Sequence, residues 1–180
     1  MAIARHTSAL RSTPACSIGR REDAIETPVA RQYRELTLDQ CHACLSRNHV
    51  GRLAFMVHDR VDMRPIHYAS EAGWIFGRTG TRGMVTALMQ QPWCAFEADE
   101  GVDDLEWSSV VVQGRFSVLT PTNGSLATYN RATSLLWALI PGTFSAGDPA
   151  PQRNVIFGIQ AKTITGRASR RDVLTRPDDA

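Results

Sequence analysis

The chain has 180 residues, 43% hydrophobic and 21% charged, which suits one domain with a real core and excludes a wholly disordered chain, a collagen-like chain and a disulfide miniprotein. Twenty basic and 18 acidic residues leave a net charge of +2, which makes no case for nucleic-acid binding. The longest strictly apolar run, 135–140, falls far short of the about 20 residues a membrane helix needs.

Residues 1–34 lack sustained periodicity and are expected to form an extension without regular structure. Their first 21 positions carry arginine and no acid, as a transit peptide would, but show no amphipathic stripe. No apolar signal segment opens the chain, so a cytoplasmic protein with reduced cysteines is expected. The folded domain is expected over 35–169, and a loose charged tail over 170–180.

Order is predicted to begin near Leu36. Thr37 and Gln40 have capping-box spacing, and Leu38, Cys41, Cys44 and Leu45 form one apolar helical face that stops near Asn48. Leu53, Phe55 and Val57 then alternate with Arg52, Ala54 and Met56, as a half-buried strand does. Asp59 and Arg60 turn the chain into a strand over 61–69, and Glu71, Ala72 and Gly73 turn it again into one over 74–78. The loop 79–83 leads into a helix with Met84, Val85, Leu88 and Met89 on one face, halted by Pro92.

Strands over 93–99 and 107–119 follow, separated by an acidic stretch. Ser125 is placed to cap a helix carrying Leu126, Tyr129, Leu136 and Ile140, which Pro141 and Gly142 end. A loop over 141–152 precedes a last alternating strand over 154–165. Six strands with hairpin links predict a mainly antiparallel sheet that closes on itself, flanked by helices.

Several residue groups invite a chemical reading. Cys41 and Cys44 have the spacing of half a zinc site or a redox pair, but no further ligand pair follows and both lie on a helix's apolar face, so they read as core. The acids Glu97, Asp99, Glu100, Asp103, Asp104 and Glu106 lack calcium-loop spacing and read as solvated; no metal site is expected. No serine-nucleophile motif is present, and no catalytic side chain is assigned. The loop 79–83 is the most informative: two threonines, two glycines and Arg82 stand between a strand end and a helix start. Backbone amides and a guanidinium there suit an anion such as phosphate.

Four stretches carry a resemblance to a known family: Val50-Gly51-Arg52-Leu53-Ala54-Phe55; Arg64-Pro65-Ile66-His67-Tyr68; Trp93 through Glu100; and Trp107 through Arg115, with Ile164-Thr165-Gly166-Arg167 closing the set. In order and spacing they resemble the FMN-binding split-barrel family related to pyridoxamine 5'-phosphate oxidase, in particular its small nitroimidazole-resistance-type branch. The resemblance implies a six-stranded antiparallel split β-barrel and a homodimer with two FMN molecules at its interface. It implies that Met63, Arg64, Pro65, Ile66 and His67 line the isoalloxazine ring, largely through backbone hydrogen bonds. Arg78, Thr79, Thr81 and Arg82 would hold the phosphate, and Trp107 and Ser108 would approach the flavin, from the partner subunit. Relatives tend to carry a basic residue at the start of the helix after the glycine loop, where Gly83 and Met84 stand here; Arg82 or Arg78 would supply that charge. The C-terminal substrate segment of true pyridoxamine phosphate oxidases is absent.

An FMN-dependent oxidoreductase passing electrons from a reduced nicotinamide to a nitro-aromatic, quinone or similar small acceptor is therefore expected. It needs no protein nucleophile, because the cofactor carries the redox chemistry. Two alternatives stay open. One is a non-catalytic module binding flavin or haem, with His67 or His58 as an axial ligand. The other is a deazaflavin-dependent reductase of the same fold.

Overall fold

A computed structural model describes residues 29–80, 83–101, 103–122 and 125–173. The expectations placed on residues 1–28, on Thr81 and Arg82, and on 174–180 lie outside them. In chain order the elements are β1 (Val29–Glu35), α1 (Leu38–Arg47), β2 (Val50–Val57), β3 (Arg60–Glu71), β4 (Trp74–Thr79), α2 (Met84–Gln90), β5 (Trp93–Gly101), β6 (Trp107–Leu119), α3 (Leu126–Leu139) and β7 (Val155–Val173).

The sheet runs β1-β7-β4-β3-β2-β5-β6, and β6 also pairs with β7. That extra pairing closes β2 to β7 into a six-stranded antiparallel barrel. The strand count is seven rather than the expected six. β1 is the addition, antiparallel to the far end of β7 from Val29↔Val173 to Glu35↔Arg167. Its sequence, VARQYRE, has no apolar alternation to announce it, and its partner lies at the other end of the chain. By the same pairing β7 runs on to Val173, past the end at 165 that its alternation predicts.

The helices start where their caps predict. Thr37 and Gln40 form the full capping box at α1, and the Ser125 side chain accepts the Thr128 amide at α3. α1 and α2 cover the barrel interior, where Leu53, Phe55, Tyr68, Phe96, Val110, Val112, Phe157 and Ile159 are buried. A second cluster, Phe76, Leu119, Ala132, Leu136 and Ile156, packs α3 against the outside of β4 and β7. Burial of this kind stabilises each large apolar side chain by about 1.5–3 kcal/mol. Gly51 and Gly77 are needed for close approach: a Cβ would lie 2.2 Å from the Phe96 ring at Gly51 and 2.4 Å from the Phe157 ring at Gly77.

Candidate functional site

β3 is paired on both edges over only part of its length. β2 accompanies it from Arg60 to His67, while β4 joins only from Tyr68↔Gly77 to Glu71↔Trp74. β4 then turns away along β7, through Arg78↔Ile156 and Thr79↔Val155. Over residues 60–67 the second edge of β3 therefore has no strand partner among the described residues. The barrel is split there, and Arg78 is the first β4 residue beyond the end of the ladder, facing His67 across the gap.

Which backbone groups line that gap follows from the ladder. The Tyr68 amide donates to His49 O at 3.0 Å, so this pair is of the hydrogen-bonded kind. Antiparallel pairs alternate, which makes 51/66, 53/64 and 55/62 hydrogen-bonded as well. The amides and carbonyls of Val61, Met63 and His67 consequently point away from β2, off the free edge. Pro65 occupies the one kind of position where its missing amide costs the ladder nothing.

The side chains of Val61, Met63, Pro65 and His67 share the outer face with Val50, Arg52, Ala54 and Met56 of β2. Val61 is 65% exposed, Met63 56% and, farther along the same face on β5, Trp93 52%. Beside them, Arg52 pairs with Glu97 at 2.8 Å and with Asp99, and Ser109 donates to Glu97 at 2.9 Å. Arg47 pairs with Glu100 at 2.6 Å. Half of the acidic cluster read as solvated is thus tied to arginines. On the opposite face of β3, Ile66 is buried, and the exposed Arg64 bonds Asp62 at 2.8 Å.

Arg78 is buried beneath the 141–152 loop. Its Nη1 donates to Asp148 Oδ2 at 2.6 Å, and the Phe144 ring lies 5.6 Å from its guanidinium carbon. Nε and Nη2 have no acceptor among the described residues. Thr79 and Gly80 complete the described part of the loop before Gly83, whose positive φ of 70° at the N-cap of α2 favours glycine. Met84, standing where the resemblance leads one to look for a basic residue, is turned into the core instead. Thr81 and Arg82 lie outside the described residues. Among the described ones, Arg78 supplies the charge at this end of the split.

Trp107 and Ser108 are not brought to the split within one chain. β6 lies opposite β3 in the barrel, with β2 and β5 between them on one side and β4 and β7 on the other. Trp107 instead pairs with Gly101 and Ser169 and packs on Tyr33 of β1, ring centroids 6.4 Å apart.

Cys41 and Cys44 are core residues, as read, and burial raises both thiols, Cys44 to about 11. Cys94 is also buried, which pushes its thiol to about 12. Among the described residues no group of three or more His, Cys, Asp or Glu could hold a metal ion, and no helix is long and apolar enough to cross a membrane. His58 occupies the β2–β3 turn with φ 57°, and His67 is exposed on β3.

Sequence reasoning missed Asp148 and Phe144. They fell in a segment read only as a loop, with no local signal to tie them to β4.

Residues 37–168 match the family described as pyridoxamine 5'-phosphate oxidase. An uncharacterised protein of Rhizobium meliloti (strain 1021) is 25% identical over 144 residues, 76% of this chain and 95% of that protein. A structure described as a FAD-binding protein of Mesorhizobium loti superposes with a TM-score of 0.64 at 23% identity, over 78% of this chain and 98% of that one. A candidate 5-nitroimidazole antibiotic resistance protein of Bacteroides thetaiotaomicron superposes with a TM-score of 0.59 at 11% identity, over 80% and 93%.

Proposed function

The chain belongs to the pyridoxamine 5'-phosphate oxidase family, and from that premise we propose that it is a flavin-dependent oxidoreductase holding FMN at the β3–β4 split. The observation that carries the reading is the free edge of β3 opposite Arg78. The amides and carbonyls of Met63 and His67 leave the ladder there, as donors and acceptors for the flavin's pyrimidine edge. A guanidinium whose Nε and Nη2 have no acceptor among the described residues stands at the apex for the phosphate. Thr79 and Gly80 border the same place, and Thr81 and Arg82 are assigned to the phosphate by family resemblance.

When bound, the flavin supplies hydride and single-electron transfer. The chain's own residues then have three tasks: to fix the ring by backbone hydrogen bonds, to neutralise the phosphate, and to exclude water from one ring face. The apolar outer face around Val61, Met63 and Trp93 suits the third task if a second copy covers it. The same homodimer would supply Trp107 and Ser108, which stand on the opposite side of the barrel from β3 in their own chain. A reduced nicotinamide is the electron donor in this reading, and a nitro-aromatic or quinone the acceptor.

The test is direct. Purified protein is mixed with FMN, FAD or riboflavin, desalted, and its absorption spectrum recorded; FAD is included because the Mesorhizobium loti protein is described as binding it. Retained flavin at one per chain, followed by nicotinamide oxidation with a nitro-aromatic or quinone, is the expected result. Failure to retain any of the three would overturn the cofactor. Retention without turnover for any acceptor would leave a binding module and overturn the oxidoreductase. Sedimentation of the wild type and of Met63→Glu tests the dimer: a monomeric wild type would reject the shared site.

A further inference from the structure

We propose that Asp148 is a positioning residue for the cofactor phosphate, holding Arg78 by one nitrogen so that its remaining donors serve the anion. The inference rests on the flavin reading above and assigns a role to the 141–152 loop, which nothing in the family resemblance supplies.

Arg78 and Asp148 side chains are each 6% exposed. A buried guanidinium is costly unless it is fixed and paired. Asp148 is anchored by its own loop. Its Oδ1 accepts the Ala150 amide and its Oδ2 the Phe144 amide, both at 2.8 Å, and its own amide donates to Ser145 O at 3.1 Å. Gly142 O accepts both the amide and the hydroxyl of Ser145, and Ser145 Oγ in turn accepts the Gly147 amide at 3.2 Å. The carboxylate is thus fixed whether or not Arg78 touches it.

That arrangement separates an anchor from a plug. A carboxylate that merely filled an anion site would depend on the arginine for its place and would leave when phosphate arrived. Asp148 has two amide partners of its own and one bond to Arg78, through Nη1 alone. The guanidinium is planar, so fixing Nη1, with its carbon 5.6 Å from the centre of the Phe144 ring, restricts where Nε and Nη2 can point. Phe144 adopts φ 64°, a left-handed conformation unfavourable for a bulky residue, while its amide bonds Asp148. The loop accepts this strain at the place where it clamps the arginine.

Binding of FMN and of riboflavin, which lacks the phosphate, separates the roles. Dissociation constants are measured by flavin fluorescence for wild type, Asp148→Asn, Asp148→Glu and Arg78→Met, with melting temperatures alongside. The wild type is expected to prefer FMN, and Arg78→Met to lose that preference. Asp148→Asn is expected to weaken FMN about tenfold, the scale of one charge-assisted hydrogen bond, while riboflavin affinity stays within about twofold. Asp148→Glu, which keeps the charge but shifts it, is expected to fall between. Equal weakening of both flavins would reduce Asp148 to a brace of the fold; unchanged or tighter FMN binding would reject positioning outright. If Asp148→Asn does not fold, an Asp148→Glu variant with wild-type FMN preference rejects the proposal. A wild type that binds FMN no better than riboflavin removes the phosphate site itself, and one that binds neither sinks the flavin reading, both distinguishable from failure of Asp148 alone.

Discussion

Replacing His67 by proline tests the free edge of β3 with a single missing hydrogen. The alternation fixed by the Tyr68–His49 bond sends the His67 amide off the ladder, so His67→Pro breaks no β2–β3 hydrogen bond. Its cost is confined to the narrower φ range and should be about 1 kcal/mol or less. The neighbouring Ile66→Pro is the contrast. Ile66 pairs with Gly51 in a hydrogen-bonded position and is buried, so the substitution removes a ladder bond and a core side chain, at a cost of about 3 kcal/mol or more. Urea unfolding reads both. If flavin lies along this edge, His67→Pro loses one donor to it, worth about 0.5–1.5 kcal/mol, or about 2- to 13-fold in FMN affinity. His67→Ala keeps the amide and reports the side chain separately. A His67→Pro protein as unstable as Ile66→Pro would mean that the His67 amide belongs to the β2–β3 ladder. A stable His67→Pro protein with wild-type FMN affinity would remove the free edge from the binding site.

Three further outcomes follow from the same structure. The buried Tyr68 hydroxyl donates to Leu45 O at 2.9 Å, so Tyr68→Phe leaves that carbonyl unpaired and should cost about 1–3 kcal/mol in urea unfolding; no loss would mean another donor reaches it. Gly77→Ala places a methyl 2.4 Å from the Phe157 ring and should cost about 1–3 kcal/mol, partly recovered by Phe157→Leu; a neutral change would show the ring has room to move. The hydrogen bond from Arg78, with those from the Ala150 and Phe144 amides, holds the Asp148 carboxyl well below the usual carboxylate range. The folded protein then binds fewer protons at this group than the unfolded chain, so its stabilisation is full above about pH 5 and is lost as pH falls. Melting temperatures between pH 5 and pH 3 should drop less in Asp148→Asn than in wild type; equal slopes would place the acid sensitivity elsewhere.

The barrel strands were legible because each carries its own period. Leu53, Phe55 and Val57 alternate with polar or smaller neighbours, and the helices announce their starts with Thr37 and Ser125. β1 was not, because its sequence VARQYRE has no apolar alternation and the strand owes its existence to a partner at the far end of the chain. The split was half legible. Nothing local says where β3 and β4 part, since that depends on β4 finding β7. Yet Pro65 in the middle of a 12-residue strand already requires an edge with no hydrogen bond to make. Its meaning emerges once the ladder shows which way residue 65 faces.

Arg78 shows why the charge of a site can be read from sequence while its geometry cannot. Its place at the end of a strand before a glycine loop marks it as basic and near a turn. Its usefulness depends on which of its nitrogens are taken, and that is decided by Asp148, 70 residues away. Met84 fills the core with Leu88, so the first turn of α2 contributes packing, where the family resemblance leads one to expect charge. Among the described residues the charge at this end of the split is that of Arg78, which Asp148 bonds and the Phe144 ring adjoins. A charge at a buried strand position has a fixed donor set and little reach. Such a site should discriminate phosphate-bearing from phosphate-free flavin more through geometry than through net charge. Raising ionic strength from 0.05 to 0.5 M, which shortens screening from roughly 14 to 4 Å, should therefore change the FMN-to-riboflavin preference little, whereas a preference that collapses with salt would assign the phosphate to exposed arginines instead.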